Sequence, residues 1–490
     1  MAQAQSNSAS IPEAYKLAQE HYDNKRLKKA ALICKQILET KPDHARSLHL
    51  LGLIYYKRTR YNAANTCLQQ ALKVRPRWHS LYNDLGAVLA AQGRHQQALE
   101  SYQQALALVE NPDDSKKLLP LYRNMAVALQ RVGNLKEAMV FHEKALAFNP
   151  NDVEALWNRA HIYLAKGDFE RGWVDYEKRL HLASHEKPFR RHRLLQPRWD
   201  GRTFRHKTLL VQDEQGLGDV FQFVRLLPLV KSMGGIVILE TRRKLTGILT
   251  DLKGADEVIS REEARGQRQR FDIYTSLLSL PGLLNIRLDT IPAQIPYLYP
   301  DPVKVERWSR FLDCKTFRVG LVWTGNLDNI SLRHRSLNFS QLAPYLDMPD
   351  VEYFSLQFGD TAKQAIAPGL PFEVEDLSDY VGSFSELAAI AENMDLIVTV
   401  DTAMAHLVGA LGRPVWMLLS YPPDWRWLLD RDDSPWYPTM RLFRQDQDVD
   451  WEPVLRRLHR ELKEEIAAFN ESMKPARKNV FRRIGSWFRK

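Results

Sequence analysis

The sequence predicts an α + α/β chain: a helical repeat array followed by two halves, each built on a parallel sheet. Three observations predict it. A set of small and large apolar residues recurs every 34 residues through the first third. Beyond residue 207, short apolar runs alternate with stretches of helical periodicity, the order that winds parallel sheets by right-handed crossovers. Prolines at 292, 296, 300 and 302 then divide that region in two.

The repeats come first. One copy reads Leu48, Leu51-Gly52, Tyr55, Ala64, Leu68, Ala71 and Pro76. The next reads Tyr82, Leu85-Gly86, Leu89, Ala98, Tyr102 and Ala105; the one before reads Ala14, Leu17-Ala18, His21, Ala30, Cys34, Ile37 and Pro42. A fourth copy, Tyr122, Met125-Ala126, Leu129, Ala138, His142, Ala145 and Pro150, follows an insertion of six residues near Glu110–Leu118. A fifth, decayed copy holds Ala160, Tyr163, Gly172 and Tyr176. The period and residue classes match tetratricopeptide repeats. Small residues sit where the two helices of a repeat approach closely, and proline ends the second helix. No pair buries its face alone, so repeats stack into a solenoid with a concave groove. Such a groove binds peptide or protein; a spacer or a homo-oligomer surface is the plainer use of the same array. Cys34 and Cys67 fall on packed faces. With Cys314 they are too few and too scattered for a disulfide framework or a metal site.

The boundaries expected are a disordered stretch over 1–10, repeats over 11–185 and a polar, basic linker over 186–207. The first α/β half follows over 208–300, a linker over 301–316, the second half over 317–470 and a basic tail over 471–490. Strands are expected at Leu209–Gln212, Ile236–Glu240 and Phe271–Tyr274, then at Val319–Trp323, Glu352–Gln357, Leu396–Val400 and Val415–Leu418.

The formal net charge is +10, but seven unopposed basic residues lie between Lys474 and Lys490. The body of the chain is therefore close to balanced, which argues against a nucleic-acid partner. The N-terminus lacks the apolar core of a signal peptide, and no apolar run is long enough to span a bilayer. A cytoplasmic protein is expected. In the tail, Phe481, Ile484, Trp487 and Phe488 stand among basic residues at helical spacing. That pattern predicts a helix lying on anionic membrane at the inner face, with a solvated basic tail as the alternative.

In open parallel sheets, ligands bind beyond the strand C-termini. Three stretches fall there. The first is DEQGLGDVFQF (213–223), a glycine turn between a strand and a helix that brings its own carboxylates, Asp213, Glu214 and Asp219. It lacks the third glycine of a dinucleotide fingerprint, which disfavours a dehydrogenase. Glu214, Gln215, Gly216 and Gly218 form its acceptor-side loop. The second, VGLVWTGNLDNISLRHRSL (319–337), presents Thr324, Gly325 and Asn326, then Arg333 and Arg335, an arginine fork suited to a diphosphate. A solvated basic loop is the alternative. The third, DLIVTVDTAMAHLVGALGRPVWMLL (395–419), ends a buried strand in Asp401-Thr402 and starts a helix at once. Free N–H groups of Thr402, Ala403 and Met404 favour an anion there. His406, one turn in, is a ligand contact or a satisfied structural histidine.

Together these stretches resemble the lipopolysaccharide heptosyltransferase family, which has the GT-B fold. With repeats in front and PPDWRWLLDRDDSPWYPTMRLFRQ (422–445) behind, residues 11–455 resemble bacterial tetratricopeptide-repeat glycosyltransferases. The resemblance implies a nucleotide-sugar donor and no cofactor or metal. Asp219 matches the family's general base. Arg335, with Arg333 second, matches the cation on the donor diphosphate. Asp401, Thr402, Ala403, Met404 and His406 match the donor-binding segment. Repeats ahead of a GT-B pair also resemble the architecture of the O-linked N-acetylglucosamine transferase, which implies protein glycosylation; the heptosyltransferases themselves take a glycan. The expected activity is inverting transfer to a protein or glycan hydroxyl. The alternative is a non-catalytic repeat scaffold whose nucleotide fold has decayed, and for Asp219 a helix cap in place of a base.

Overall fold

The computed structural model describes residues 10–182, 195–264, 271–312, 316–325, 327, 330–367 and 369–487, with backbone alone for 264, 330–332 and 474–487. Asn326, Cys314, residues 1–9 and the first part of the expected linker lie outside them, as does Phe488 of the tail. The chain falls into two compact units, Met1–Ile162 and Tyr163–Lys490.

In the first unit, helices pair in sequence: α1 (Ile11–Asp23) with α2 (Leu27–Thr40), α3 (Ala45–Lys57) with α4 (Tyr61–Val74), α5 (His79–Ala91) with α6 (His95–Ala107), and α7 (Ser115–Arg131) with α8 (Leu135–Phe148). α9 (Val153–Ala165) opens a fifth pair. The repeat positions do what their sizes require. A Cβ on Gly52 would stand 2.9 Å from the Leu68 side chain, and one on Gly86 would run into the Tyr102 ring. Ala64, Ala98 and Ala138 are fully buried, as is Cys34, whose thiol is pushed up to about 12 by burial. Pro42, Pro76 and Pro150 each follow the end of a second helix by two residues. The insertion before the fourth copy is partly helix: α7 runs 17 residues and takes Pro120 inside it.

The second unit opens with the end of α9 and with α10 (Phe169–Tyr176). The register assigns these residues to a fifth repeat, yet their large side chains are buried within this unit. Trp173 Nε1 donates to the carbonyl of Ile286 at 2.8 Å, and Arg179 is fully buried.

Two parallel sheets follow. The first holds β1 (Thr208–Gln212), β2 (Ile236–Thr241), β3 (Glu257–Ser260) and β4 (Ile273–Ser276) in the order β3-β2-β1-β4. The second holds β5 (Phe317–Val322), β6 (Val351–Ser355), β7 (Val374–Asp376), β8 (Leu396–Val400), β9 (Val415–Leu419) and β10 (Met440–Arg444) in the order β10-β9-β8-β5-β6-β7. The repeat array followed by two Rossmann-like halves is thus the architecture of the chain. Three strands, β3, β7 and β10, were not expected from the sequence, and β4 begins two residues later than expected. Short helix α11 (Leu217–Phe223) leaves β1, and α12 (Ala403–Leu411) leaves β8. A long helix, α13 (Glu452–Trp487), closes the second half; its Leu455, Leu458, Leu462 and Ile466 bury against the sheet with Trp323, Phe339 and Phe443. Among the described residues no helix is long and apolar enough to cross a membrane.

Candidate functional site

Each of the three carboxylates after β1 meets an arginine. Asp213 is buried and accepts from Thr241 Oγ1 at 2.8 Å, from Arg242 Nε at 3.0 Å and from Arg261. Arg242 also donates to the carbonyls of Gln215 at 3.0 Å and Gly216 at 2.9 Å, which fixes the loop where Gln215 takes a φ of 58°. Glu214, equally buried, accepts from Arg179 and from Ser276. These two acids are structural: a buried carboxylate needs a partner cation and hydrogen bonds to stay ionised.

Asp219 differs in facing both sheets. Its Oδ2 accepts from the Gly216 N–H at 2.6 Å, so it does cap α11. Its Oδ1 accepts from Arg426 Nη2 at 2.6 Å. Arg426 belongs to the second half, in the turn after β9. It also donates to Gln222 Oε1 at 2.9 Å and Asp424 Oδ1 at 2.8 Å, and its Cζ lies 4.3 Å from the centre of the Trp425 ring. Asp424 passes the chain on, accepting from Arg335 Nη2 at 3.0 Å, and Arg335 Nη1 lies 2.7 Å from Asp401 Oδ2. The result is one continuous ionic line: Asp219, Arg426, Asp424, Arg335, Asp401.

Burial sets the protonation along this line. Asp401 is raised above the usual carboxylate range by burial, with Arg335 opposing. Burial acts on Asp424 in the same direction, but Arg426 and Arg335 outweigh it and hold that carboxyl well below its ordinary value. Both guanidiniums lose hydration and are still held charged by their carboxylates.

Above the line sits α12. Thr402 caps it, with Oγ1 accepting from the Met404 N–H at 3.3 Å; Ala403 is half-buried and Met404 buried. His406 is buried, stacks on Trp427 with ring centres 5.0 Å apart, and shares a 2.9 Å hydrogen bond between Nδ1 and the Tyr437 hydroxyl. Burial lowers its pKa to about 3, so it is neutral at ordinary pH. Gly218 of α11 lies directly against this ring. His406 is therefore at the least a satisfied structural group that seats α11 on α12.

The remaining expected residues are placed less tightly. The Thr324 N–H donates to Gln357 Oε1 at 2.9 Å, and the Gly325 N–H donates to Ser336 Oγ at 3.1 Å, with Thr402 beside Gly325. Arg333 is exposed and donates to the carbonyl of Leu327 at 2.7 Å, whereas Arg335 turns inward; the two do not form a fork. Sequence reasoning assigned no role to Asp424 or Arg426. The available signal was local: an acid and an arginine interleaved with Trp425 and Trp427, a costly arrangement unless the charges are buried and paired.

Profiles described as tetratricopeptide repeat match residues 45–77 and 79–151. The chain is 28% identical over 457 residues to protein FlbA of Caulobacter vibrioides, covering 87% of this chain and 74% of that one. Among solved structures, the Escherichia coli ADP-heptose lipopolysaccharide heptosyltransferase II aligns with a TM-score of 0.41 and 13% identity, over 53% of this chain and 99% of its own. YrrB, described as a tetratricopeptide-repeat protein with an unusual peptide-binding site, aligns with a TM-score of 0.30 and 20% identity, over 37% of this chain and 90% of its own. Residues 45–151 are thus tetratricopeptide repeats, and the similarity to FlbA runs through both α/β halves as well.

Proposed function

We propose that the protein is a glycosyltransferase that moves a sugar from a nucleotide-sugar donor to a hydroxyl of a protein or glycan acceptor, with the repeats selecting the acceptor. The observation that carries this reading is the ionic line: it joins the acid after the first strand of one sheet to Arg335, Asp401 and the capped end of α12 on the other. The motif resemblance assigns those same residues to base and donor site.

In the reaction, the acceptor hydroxyl attacks the anomeric carbon while Asp219 takes its proton. The new carbon–oxygen bond forms as the bond to the phosphate oxygen breaks, and the diphosphate leaves with the electron pair. Arg335 and the N–H groups at the start of α12 receive that charge. One displacement inverts the anomeric centre. Fixed cations and helix N–H groups take the place of a metal in this scheme.

One observation favours the scaffold reading. Arg335 and Arg426 are each already shared between two carboxylates, as structural arginines are. Thermal shift against a panel of nucleotide sugars separates the two readings. A ligand at 100 times its dissociation constant adds about 2.7 kcal/mol to stability. Stabilisation by one nucleotide sugar, followed by its hydrolysis or transfer, supports the enzyme; no shift with any of them supports the scaffold.

A further inference from the structure

The five repeats supply their own reference for what the fold requires. Each turns between its two helices in the same way. Lys25, Thr59, Gly93, Gly133 and Gly167 occupy one position, each donating its N–H three residues back. All five are left-handed, with φ between 57° and 80°. Three copies use glycine, which takes that conformation without strain. The next position is held by Arg26, Arg60, Arg94, Asn134 and Asp168. In the last two copies the side chain caps the following helix, at 3.2 Å in each. The turn therefore favours glycine at its left-handed position, while the next position takes arginine in three copies and a capping residue in two.

The first and second copies have neither glycine nor a cap; the first is the one that also puts a cation at the left-handed position. It places Lys25 in the strained position and Arg26 at the cap, and its helix carries Lys28 and Lys29 in the first turn with no acid. Like charge at a helix N-terminus opposes the helix dipole. Arg58, from the matching turn of the second copy, completes the group. These five cations, with Leu27, line a depression of about 430 Å³. The four on the first turn are exposed, and among the described residues none of the five forms an ion pair. The adjacent Asp23 does not serve them; it accepts from Gln19 at 3.1 Å. Five cations without an ion-pair partner among the described residues gather around one hollow, one of them held in the left-handed conformation, and that concentration of positive charge marks the hollow for an anionic group.

We propose that this hollow is a docking site for an acidic polypeptide segment. The charge of the hollow suits the carboxylates of one acidic segment, and Leu27 adds an apolar contact among the cations. The site is independent of the chemistry proposed for the α/β halves.

The experiment is fluorescence anisotropy of a labelled octaglutamate peptide on the full chain, across a salt series. The variant K28E/R58E lowers the hollow's charge from +5 to +1. K41E/K73E changes net charge equally at exposed positions outside it. Lys25→Gly relieves the strained residue. We expect salt-sensitive binding to wild type and to K41E/K73E, at least tenfold weaker binding to K28E/R58E, and several-fold weaker binding to Lys25→Gly with an unchanged or raised melting temperature. Equal affinities for the two charge-reversal variants overturn the proposal. So does undiminished binding by Lys25→Gly, which reports independently should K28E/R58E fail to fold by circular dichroism. Parallel arms use phosphatidylserine vesicles and an oligothymidylate; tighter, hollow-dependent binding to either overturns the choice of a polypeptide.

Discussion

Gly218→Ala tests whether α11 is seated on His406. An added Cβ would stand 2.5 Å from His406 Cδ2 and 3.3 Å from Nε2. The ring cannot swing aside, because Trp427 stacks on one face and Tyr437 holds Nδ1 at 2.9 Å. Ordinary contact therefore needs α11 to withdraw by about 1 Å. Two effects oppose each other. Alanine is the better helix former, by about 0.5–1 kcal/mol. Overpacking a closed core costs about 1–3 kcal/mol. The second wins, for a net loss of about 1–2 kcal/mol and a melting temperature lower by about 1.5–3 °C. The movement also carries Asp219 away from Arg426; on the glycosyltransferase reading, displacement of the base by about 1 Å costs roughly 100-fold in rate. A double-mutant cycle with His406→Ala gives the sharper reading. Removing the imidazole makes room for the methyl group, so the pair should be more stable than the sum of the single changes by about 1 kcal/mol or more. A strictly additive cycle, or a Gly218→Ala protein as stable as wild type, refutes the packing argument.

On the glycosyltransferase reading, Asp219→Asn keeps an acceptor for the Gly216 N–H but removes the base. Transfer should fall at least 100-fold while affinity for a nucleoside diphosphate stays within a few-fold, which calorimetry and rate measurements separate. Arg335→Ala should weaken that affinity by about 1.5–3 kcal/mol; unchanged affinity by calorimetry would remove Arg335 from the donor site. His142, fully buried in the repeats, has its pKa lowered by burial to about 3. An unfolded histidine takes its proton near pH 6.5, so stability is full above that pH and falls as pH drops toward 3, by about 1.4 kcal/mol per unit. Urea midpoints should therefore fall from pH 7 to pH 5, and His142→Gln should flatten that slope; an unaltered slope places the acid sensitivity elsewhere. Truncation should depend on where the cut falls. A chain starting near residue 151 keeps α9, α10 and Arg179 and should stay folded by circular dichroism, bind nucleotide and lose the natural acceptor. A chain starting at Pro188 leaves the Glu214 carboxylate buried without Arg179, a loss of about 3–5 kcal/mol, and should unfold at lower urea; equal urea midpoints for the two chains would contradict this.

The sequence carried the periodic features because periodicity is local. The 34-residue repeat is set by pairs such as Gly52 with Leu68, close along the chain. β8 spans the residues expected of it, since a run of five apolar or β-branched residues between polar ones admits one reading. β3 and β7 were missed for the opposite reason: four and three residues, each carrying acids, hold together only through the neighbouring strand. β10 alternates Met440, Leu442 and exposed Arg441 beside a fully buried Phe443, a pattern set by its edge position. The site divides the same way. Thr402 as a cap and Asp219 after a glycine turn could be read locally. That Asp219 meets Arg426 across 207 residues, or that Glu214 meets Arg179, follows only from how the sheets are placed.

The balance of charge decides which group must yield if a diphosphate enters. The line from Asp219 to Asp401 holds three carboxylates and two guanidiniums, and it is largely shielded from water. Adding two or more negative charges there is strongly unfavourable unless negative charge leaves, because Coulomb terms grow as the dielectric falls. Asp424 cannot release it by protonation, since both arginines hold it ionised. On the glycosyltransferase reading, Asp219 has to stay ionised to act as a base. Asp401 is the group whose carboxyl burial already raises, and it stands beside the cap of α12 where the phosphate would lie. On the glycosyltransferase reading, uptake of one proton by Asp401 would turn a repelling acceptor into a neutral hydrogen-bond donor and leave Arg335 a donor for the phosphate.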